Sequence, residues 1–279
     1  RATYCTCSFC PCSFRMFSAT GLQIPISTIN PIVLIPARMG STRFPGKPLV
    51  LINGEPMIVH VWRRATEAGI GPVVVACEDP EIADVVQAAG GRAELSGSHH
   101  PSGSDRIFEV LTRIDPDGAF EVVVNLQGDM PAIDPSALAA VLEPFTNPNV
   151  AIATLVSPIA DDAERSNLHV VKARVDFKDG VVGAAIDFAR GPELLVAGPQ
   201  YHHIGVYAYR RPALAQFVEL PQSAREKKFG LEQLRALDYG MTIGARLVDT
   251  FPVGVDTPAD LVRAEAKLSS SPEPTESKQ

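Results

Sequence analysis

Short apolar runs alternate with amphipathic segments along the first half of the chain. Each run has the length of a buried strand in a parallel sheet, and each amphipathic segment repeats apolar residues at helical spacing. The predicted strands cover residues 32–35, 72–77, 120–126 and 150–156. The predicted helices cover residues 56–69, 80–89, 104–114 and 135–145. This alternation predicts a mostly parallel α/β sheet with helices on both faces, whose ligands bind beyond the carboxyl ends of the strands.

The pattern changes near residue 165, where strands follow one another without long helices between them. Residues 169–177 and 181–188 flank a Lys-Asp-Gly turn and predict a β-hairpin. The later elements are strands at 201–209 and 242–248, and helices at 211–218, 231–239 and from residue 257 onward. We therefore expect an antiparallel insertion over about 165–250 that caps the sheet, within a single domain of residues 31–268.

The two ends of the chain differ in composition from this body. Residues 1–30 hold four of the five cysteines and no acidic residue, and the spacing C-x-C-x2-C-x-C fits no common zinc site. We expect this segment to be a disordered or non-native extension, with Met16 as the natural start; a metal-binding appendage is the alternative. Residues 269–279 are rich in Ser, Pro and Glu, which predicts a disordered tail.

Composition excludes several classes of protein. The 279 residues include 25 Lys and Arg against 32 Asp and Glu, a net charge of −7, so the basic excess of a duplex nucleic-acid binder is missing. No apolar run reaches the ~18 residues of a membrane-spanning helix, so we expect neither a nucleic-acid nor a membrane partner. Cys77 is the single cysteine of the body, which favours a reducing, cytoplasmic location.

The loop after the first strand concentrates positive charge. It has the sequence PARMGSTRFPGKPL at residues 36–49. Guanidinium and ammonium groups suit phosphate oxygens, and Gly40 and Gly46 permit a ligand to approach the backbone closely. The loop is not a Walker A sequence, because Lys47 is followed by Pro48, and it contains no G-x-G-x-x-G sequence. It predicts a phosphate site of another type, with a solvated basic loop as the alternative.

Two acidic stretches add a candidate metal site. Asp129 follows the third strand in the sequence NLQGDMP, and Asp256 lies far downstream in GVDTPADL. Each aspartate alone is also typical of a turn or a helix cap. Mg²⁺ takes one or two carboxylates together with substrate phosphates, so one aspartate from each stretch would suffice at the ligand edge. Asp260 is interpreted as a surface charge of the last helix.

These stretches together resemble the CMP-Kdo synthetase family, the 3-deoxy-manno-octulosonate cytidylyltransferases. The loop resembles the signature P-A-R-x-x-S-T-R-x-P-G-K-P-L, and the acidic stretches resemble Q-G-D-x-P and G-V-D-T-P; the resemblance covers about residues 31–268. It implies a nucleotide-diphosphosugar-transferase-like, Rossmann-like fold with an antiparallel sugar-binding and dimerisation insertion. It also implies Mg²⁺-dependent synthesis of CMP-Kdo and pyrophosphate from CTP and 3-deoxy-D-manno-octulosonate (Kdo) for lipopolysaccharide biosynthesis, in a homodimer.

The resemblance also implies roles for individual residues. The catalytic residues would be Arg38, Lys47, Asp129 and Asp256, of which Asp129 and Asp256 would bind the metal. The nucleotide-binding residues would be Pro36, Ala37, Arg38, Ser41, Arg43, Lys47, Cys77, Ser102, Gly103, Arg106 and Gln127. The substrate-binding residues would be Arg43, Gln127, Arg190, His203, Tyr207, Glu232 and Gln233.

Four segments depart from the family pattern. The family's A-T-D-D is here ACED at residues 76–79, its F-[ST]-R-A is FARG at 188–191, and its S-x-L-E is SARE at 223–226. The stretch HPSGSDR at 100–106 resembles the family's H-x-S-G-T-[DE]-R, with Ser104 in place of Thr. Because two of these departures fall on the sugar side, a nucleotidyltransferase for another sugar acid or for an amino variant of Kdo is an alternative. A non-catalytic nucleotide-binding module is a second alternative, against which the aspartate pair and Lys47 argue.

Overall fold

The computed structural model describes residues 29–40, 44–178, 180–191, 198–250 and 254–270. The expectations for residues 1–28 and for the tail 271–279 lie outside the described residues, as do those for Ser41 and Arg43. In the part of the chain that is described, no helix combines the length and the apolar composition needed to cross a membrane.

The strands follow the apolar runs closely in the first half of the chain. They are β1 (Pro31–Ala37), β2 (Leu51–Ile52), β3 (Glu55–Pro56), β4 (Val73–Cys77), β5 (Arg92–Leu95), β6 (Val122–Asn125), β7 (Ile152–Pro158), β8 (Lys172–Asp176), β9 (Val182–Ala189), β10 (Gln200–Arg210) and β11 (Ile243–Leu247). β2 and β3 form a small separate hairpin.

The helices follow the amphipathic segments, with several shorter ones added. They are α1 (Met57–Glu67), α2 (Pro80–Ala88), α3 (Gly103–Ile114), α4 (Pro135–Ala140), α5 (Asp162–Ser166), α6 (Arg211–Glu219), α7 (Ala224–Phe229), α8 (Gln233–Asp238) and α9 (Pro258–Ser270).

One mixed sheet runs through the described residues. Its nine strands have the order β5-β4-β1-β6-β10-β7-β11-β9-β8. β5, β4, β1 and β6 are parallel to one another, as the alternation of strands and helices predicts. β10 runs antiparallel between β6 and β7, and β11 is parallel to β7. The parallel arrangement is therefore confirmed for the four strands on the β5 side of the sheet.

The hairpin of β8 and β9 extends this sheet, and the expectation that it caps the sheet is wrong. β9 pairs with β11, and β8 pairs with both β9 and the beginning of β10. Since β7 lies between β10 and β11, these five strands form a closed ring of hydrogen-bonded neighbours. Pairing satisfies backbone groups that an edge strand would expose. The local alternation of residues specifies a hairpin, but it does not specify which distant strand the hairpin joins.

The sheet is buried on both faces. In β1, Val33 and Ile35 pack into one hydrophobic core with α1 and α2, whereas Ile32 and Leu34 pack into a second core with α3 and α6. Successive side chains of a strand point to opposite faces, so a strand covered on both sides has apolar residues throughout. This double burial explains why the first strands are continuous apolar runs.

Besides the short β2, β3 and α5, which were not expected, three elements differ from the sequence expectation. β5 was not predicted, because it is a partly exposed edge strand whose Arg and Glu side chains interrupt any apolar run. α7 lacks an apolar stripe and begins instead with a capping box between Ser223 and Glu226. The predicted helix at 135–145 stops at α4 and continues as a 3-10 turn over Glu143–Thr146, where Pro144 supplies no backbone donor.

Parallel pairing places the ends of three strands at one edge of the sheet. β1, β4 and β6 end at Ala37, Cys77 and Asn125, and the register aligns Ala37 with Cys77 and Leu34 with Asn125. The loops that follow these strands therefore meet beyond one edge, where the sequence predicts the ligand site.

Substitution of Gly71 by alanine should destabilise the fold. A Cβ atom at this position would lie 2.1 Å from the carbonyl oxygen of Pro31 at the start of β1, so the strand would have to shift. We expect Gly71→Ala to lower the free energy of unfolding by about 1–3 kcal/mol in a urea titration. Gly40→Ala is the matched control, because a Cβ there meets no atom within 4 Å. Equal unfolding midpoints for the two variants would contradict the tight contact.

Candidate active site

The loop after β1 returns Lys47 to the edge of the sheet. Gly46 has a φ of 71°, a left-handed conformation that suits glycine, and the next residues form a 3-10 turn over Lys47–Leu49. The Gly46 amide donates to the Met39 carbonyl at 3.2 Å, and the Met39 amide donates to Asp79 Oδ2 at 2.8 Å. These hydrogen bonds fix both ends of the loop, so the Lys47 side chain begins at a defined position.

The ammonium group of Lys47 lies between the two predicted aspartates. Its Nζ atom donates to Asp129 Oδ2 at 2.8 Å and to Asp256 Oδ1 at 3.2 Å. The two carboxylates belong to distant parts of the chain, which are joined by a hydrogen bond of 2.9 Å from the Val255 amide to the Asp129 carbonyl. The side chain of Lys47 is 14% exposed, that of Asp129 30% and that of Asp256 47%. The carboxylate oxygens thus converge on the Lys47 ammonium group, at a position that faces solvent.

Asp260 holds the Asp256 segment in place, and its interpretation as a surface charge is wrong. Its Oδ2 atom accepts from the amides of Asp256 at 3.1 Å and Thr257 at 2.8 Å, and the Thr257 hydroxyl accepts in turn from the Asp260 amide. Burial alone would raise the pKa of Asp260, but hydrogen bonds from Thr257 and Arg263 outweigh it, and the pKa is lowered. Asp260 therefore stays ionised and caps the beginning of α9.

Gly128 lets the Asp129 segment approach the end of β1. A Cβ atom on Gly128 would lie 2.9 Å from the Pro36 carbonyl oxygen, so a larger residue would separate the two segments. Gln127, immediately before it, donates from Nε2 to the Asn125 side chain at 3.2 Å. Glycine at position 128 thus permits the backbone beside Asp129 to lie against the end of β1.

A cleft of about 370 Å³, which we call the first cleft, opens above this edge. The predicted site residues that line it are Pro36, Ala37, Arg38, Lys47, Ser102, Gly103, Arg106, Gln127, Asp129 and Asp256. Gly40, Pro48, His100 and Gly128 complete its wall. His100 was not predicted as a site residue, although it begins the stretch HPSG just before α3.

Cys77 does not reach the first cleft with its side chain. It is the last residue of β4 and is fully buried in the core with α1 and α2. Burial, reinforced by the charge of Asp79, raises the pKa of the thiol to about 11. The strand turns this side chain towards the core, so a nucleotide contact through the thiol has no support in the structure; a nucleotide-binding role for the residue stays a prediction.

Arg106 lies at the first cleft, but its guanidinium group is held by the protein. It donates from Nη2 to Glu78 Oε2 at 2.9 Å and from Nη1 to the Gly97 carbonyl at 3.2 Å and to the Ser96 hydroxyl. The residue is 2% exposed. Ser102 caps the N-terminus of α3, accepting from the Asp105 amide at 3.3 Å. Both residues shape the cleft wall, and Glu78, which departs from the family pattern, is the ion partner of Arg106.

A second cleft of about 440 Å³ adjoins the first one at Ser102. It is lined by Pro101, Ser102, Gln222, Glu226, Lys227, Gly230, Glu232 and Arg235. The Ser104 hydroxyl donates to Glu232 Oε2 at 3.2 Å. Burial raises the pKa of Glu232 more than the hydrogen bonds of Ser102 and Ser104 lower it. Gln233, the next residue, is buried at the beginning of α8.

A buried ion pair supports the second cleft. Arg235 Nε and Nη2 donate to the two carboxylate oxygens of Glu226 at 2.9 and 2.6 Å. Burial would raise the pKa of Glu226, but the hydrogen bonds and charge of Arg235 outweigh it, and the pKa is lowered. The pair ties α7 to α8 and fixes the turn that carries Glu232. The sequence analysis gives neither residue a role, although Glu226 lies in the stretch SARE that is compared with the family.

Three predicted substrate residues lie away from the walls of both clefts. His203 is buried in β10, within 3.1 Å of the Thr154 hydroxyl, and its ring packs edge-on against Phe188. Burial lowers the pKa of His203 to about 3, so the ring is neutral at neutral pH. Tyr207 packs beside it, with ring centres 5.5 Å apart, and burial raises the pKa of its phenol. The exposed Arg190 donates to the His169 carbonyl at 3.2 Å. Substrate roles for these residues stay predictions.

Comparison with known proteins places this architecture in a family. A family model described as Cytidylyltransferase matches residues 32–243. A 3-deoxy-manno-octulosonate cytidylyltransferase of Paramagnetospirillum magneticum is 54% identical over 246 residues, which cover 88% of this chain and 100% of that protein. The enzyme of the same name from Rhodospirillum centenum is 55% identical over 240 residues, covering 86% of this chain and 93% of that protein.

Solved structures agree with the sequence comparisons. A CMP:2-keto-3-deoxy-manno-octonic acid synthetase complexed with CTP is 38% identical, with a TM-score of 0.77 over 86% of this chain and 98% of that one. A UDP-glucose pyrophosphorylase is 15% identical, with a TM-score of 0.63 over 86% of this chain and 98% of that one, and shares the fold alone. The match of the family model and the identity to curated relatives together show that the chain belongs to the cytidylyltransferase family, with the 3-deoxy-manno-octulosonate cytidylyltransferases.

Proposed function

We propose that this chain transfers the cytidylyl group of CTP to Kdo, forming CMP-Kdo and pyrophosphate for lipopolysaccharide biosynthesis. The observation that carries the proposal is the convergence of Asp129, Asp256 and Lys47 in the first cleft, beyond the carboxyl ends of parallel strands. Relatives with 54% and 55% identity carry the name of this activity. A structurally similar synthetase was solved in complex with CTP.

The donor atoms of the aspartate pair suit Mg²⁺. Carboxylate oxygens are the hard ligands that Mg²⁺ prefers, and it commonly takes one or two of them with substrate phosphates and water. Among the described residues, no group of three or more His, Cys, Asp or Glu side chains is arranged to enclose a metal. We therefore propose Asp129 and Asp256 as the protein's ligands, with the nucleotide completing the shell. Bound Mg²⁺ supplies charge neutralisation on the triphosphate and on the departing pyrophosphate.

The first cleft fits the nucleotide. Arg38 and Lys47 provide the positive charge that triphosphate oxygens need, and the first loop also contains Ser41 and Arg43. Ser102, Gly103 and Gln127 line the neighbouring wall, where backbone groups and side-chain dipoles suit the neutral cytosine base and the ribose. Arg106 would act here by holding the wall, since its guanidinium is bonded to Glu78.

The second cleft fits the sugar acid. Glu232 on its wall and the adjacent Gln233 offer hydrogen-bond partners for sugar hydroxyls, and Lys227 supplies a cation on the same wall. The two clefts meet at Ser102, so a sugar in the second cleft lies next to a nucleotide in the first. The anomeric hydroxyl of Kdo then attacks the α-phosphorus in line, the α–β phosphoanhydride bond breaks, pyrophosphate leaves, and the hydroxyl proton passes to water or to the pyrophosphate. The protein contributes positioning and preorganised charge, without a covalent intermediate.

The purified chain should release pyrophosphate when it is mixed with CTP, Mg²⁺ and Kdo. Asp129→Asn should lower the rate by at least about 100-fold, because the substitution removes half of the protein's metal-binding charge. Asp84→Asn is the matched control, since Asp84 is exposed on α2 and away from both clefts. The rate is followed by a coupled pyrophosphate assay, with circular dichroism to verify folding.

The outcomes of this assay separate the alternatives. Release of pyrophosphate with another sugar acid or with an amino variant of Kdo, but not with Kdo, would select a different substrate. Binding of CTP without release with any sugar acid would favour the non-catalytic module. Full activity of Asp129→Asn would refute the proposed metal role.

Glu232→Gln should weaken use of the sugar acid without affecting use of CTP. The substitution keeps the size of the side chain but replaces one carboxyl oxygen by an NH2 group, so a hydrogen bond to the sugar is lost. We expect the KM for Kdo to rise by about 10- to 100-fold. The KM for CTP should change by less than about twofold, since Glu232 lies outside the first cleft. Glu219→Gln, an exposed position at the end of α6, is the control. Equal rises in both KM values would argue against a sugar role for the second cleft.

A further inference from the structure

We propose that Lys47 competes with the divalent cation for the pair Asp129 and Asp256, so that the metal gains full access only when a nucleotide triphosphate takes the Lys47 ammonium. The proposal rests on the proposed function, because it assigns the aspartate pair to the metal. It adds that one lysine has two alternative anionic partners within one cleft.

The first step is the geometry of the ammonium group. A single nitrogen atom contacts an oxygen of each carboxylate, at 2.8 and 3.2 Å. Any cation bound by those same oxygens would be placed beside the ammonium, where two positive charges repel each other. The lysine and a metal ion held by those same oxygens would therefore exclude each other from this position.

The second step is that the Lys47 side chain can move while the Lys47 backbone stays fixed. The Lys47 amide donates to the Phe44 carbonyl and the Lys47 carbonyl accepts from the Val50 amide, both at 3.2 Å, so the backbone is fixed. The four-carbon stem of a lysine remains flexible and carries a compact charge. Lys47 can therefore leave the carboxylates by rotating its side chain, while the loop stays in place.

The third step is that the carboxylate pair remains assembled after the lysine moves. The backbones of the two segments are joined by the bond from Val255 to Asp129 at 2.9 Å. The Asp256 amide is held by Asp260 at 3.1 Å. Departure of Lys47 thus leaves two preorganised carboxylates that repel each other, which is a strong site for a divalent cation.

The fourth step is the partner that receives the ammonium. Lys47 lines the first cleft together with Arg38, and both lie where the proposed function places the triphosphate. A triphosphate offers several anionic oxygens in exchange for the carboxylates. Nucleotide and metal should therefore bind in a coupled manner, since the nucleotide removes the competitor of the metal.

The test measures Mn²⁺ binding to the full chain without nucleotide, using the electron paramagnetic resonance signal of free aqueous Mn²⁺. We expect Lys47→Gln and Lys47→Met to bind Mn²⁺ at least about tenfold more tightly than the unsubstituted protein, because the competing charge is removed. Arg38→Gln is the matched control, since it removes one positive charge from the same cleft. It should change the affinity by less than about threefold. Thermal unfolding verifies that each variant is folded.

Unchanged or weaker Mn²⁺ binding by both Lys47 variants would overturn the proposal. An equal gain in Arg38→Gln would overturn it as well, because the effect would then reflect only the overall charge of the cleft. The double variant Asp129→Asn, Asp256→Asn identifies the site. If the double variant binds Mn²⁺ as well as the unsubstituted protein does, the proposed metal role of the two aspartates fails too. If the double variant loses Mn²⁺ binding, the metal role of the aspartates stands, whatever the Lys47 variants show.

Discussion

The hydrogen bond between the Val255 amide and the Asp129 carbonyl is the contact on which the site depends. It joins the loop after β6 to the segment before α9 and so brings together carboxylates from distant parts of the chain. Without this junction, Lys47 would have one anionic neighbour instead of two. The Asp260 cap on one side and the close approach of Gly128 on the other keep both segments at this distance. Backbone contacts thus set the geometry, and the charged side chains take positions that the backbone defines.

Much of the fold could be predicted because the spacing of apolar residues along each segment distinguishes strands from helices. β1, β4 and β6 are apolar throughout since both of their faces are covered, and the helices beside them repeat apolar residues at helical spacing. The pairing of β8 and β9 with the rest of the sheet could not be predicted in the same way. A register between strands distant in sequence depends on which backbone edges remain open after the other strands have paired, and no single segment contains that information.

The meeting of Lys47, Asp129 and Asp256 could be expected from the order of the strands together with the family resemblance, and the structure brings the three side chains together. Their phosphate and metal roles come from the resemblance and stay predictions. The burial of the Cys77 side chain could not be predicted, because the direction of a side chain at the end of a strand depends on packing. The pair of Arg235 and Glu226 was also not predicted, because its importance appears only when burial and the bidentate geometry are known. A charge in a polar stretch is most often solvated, and only the structure distinguishes the exception.

β10 belongs to both halves of the sheet. Its first residues pair with β7 and β8, its last residues pair with β6 and β7, and the register shifts between Ile204 and Tyr207. Rotation of one half of the sheet against the other would have to break hydrogen bonds that β10 makes with its neighbours on both sides. A single strand thus couples the parallel half of the sheet, whose loops carry the first cleft, to the half that contains β8 and β9.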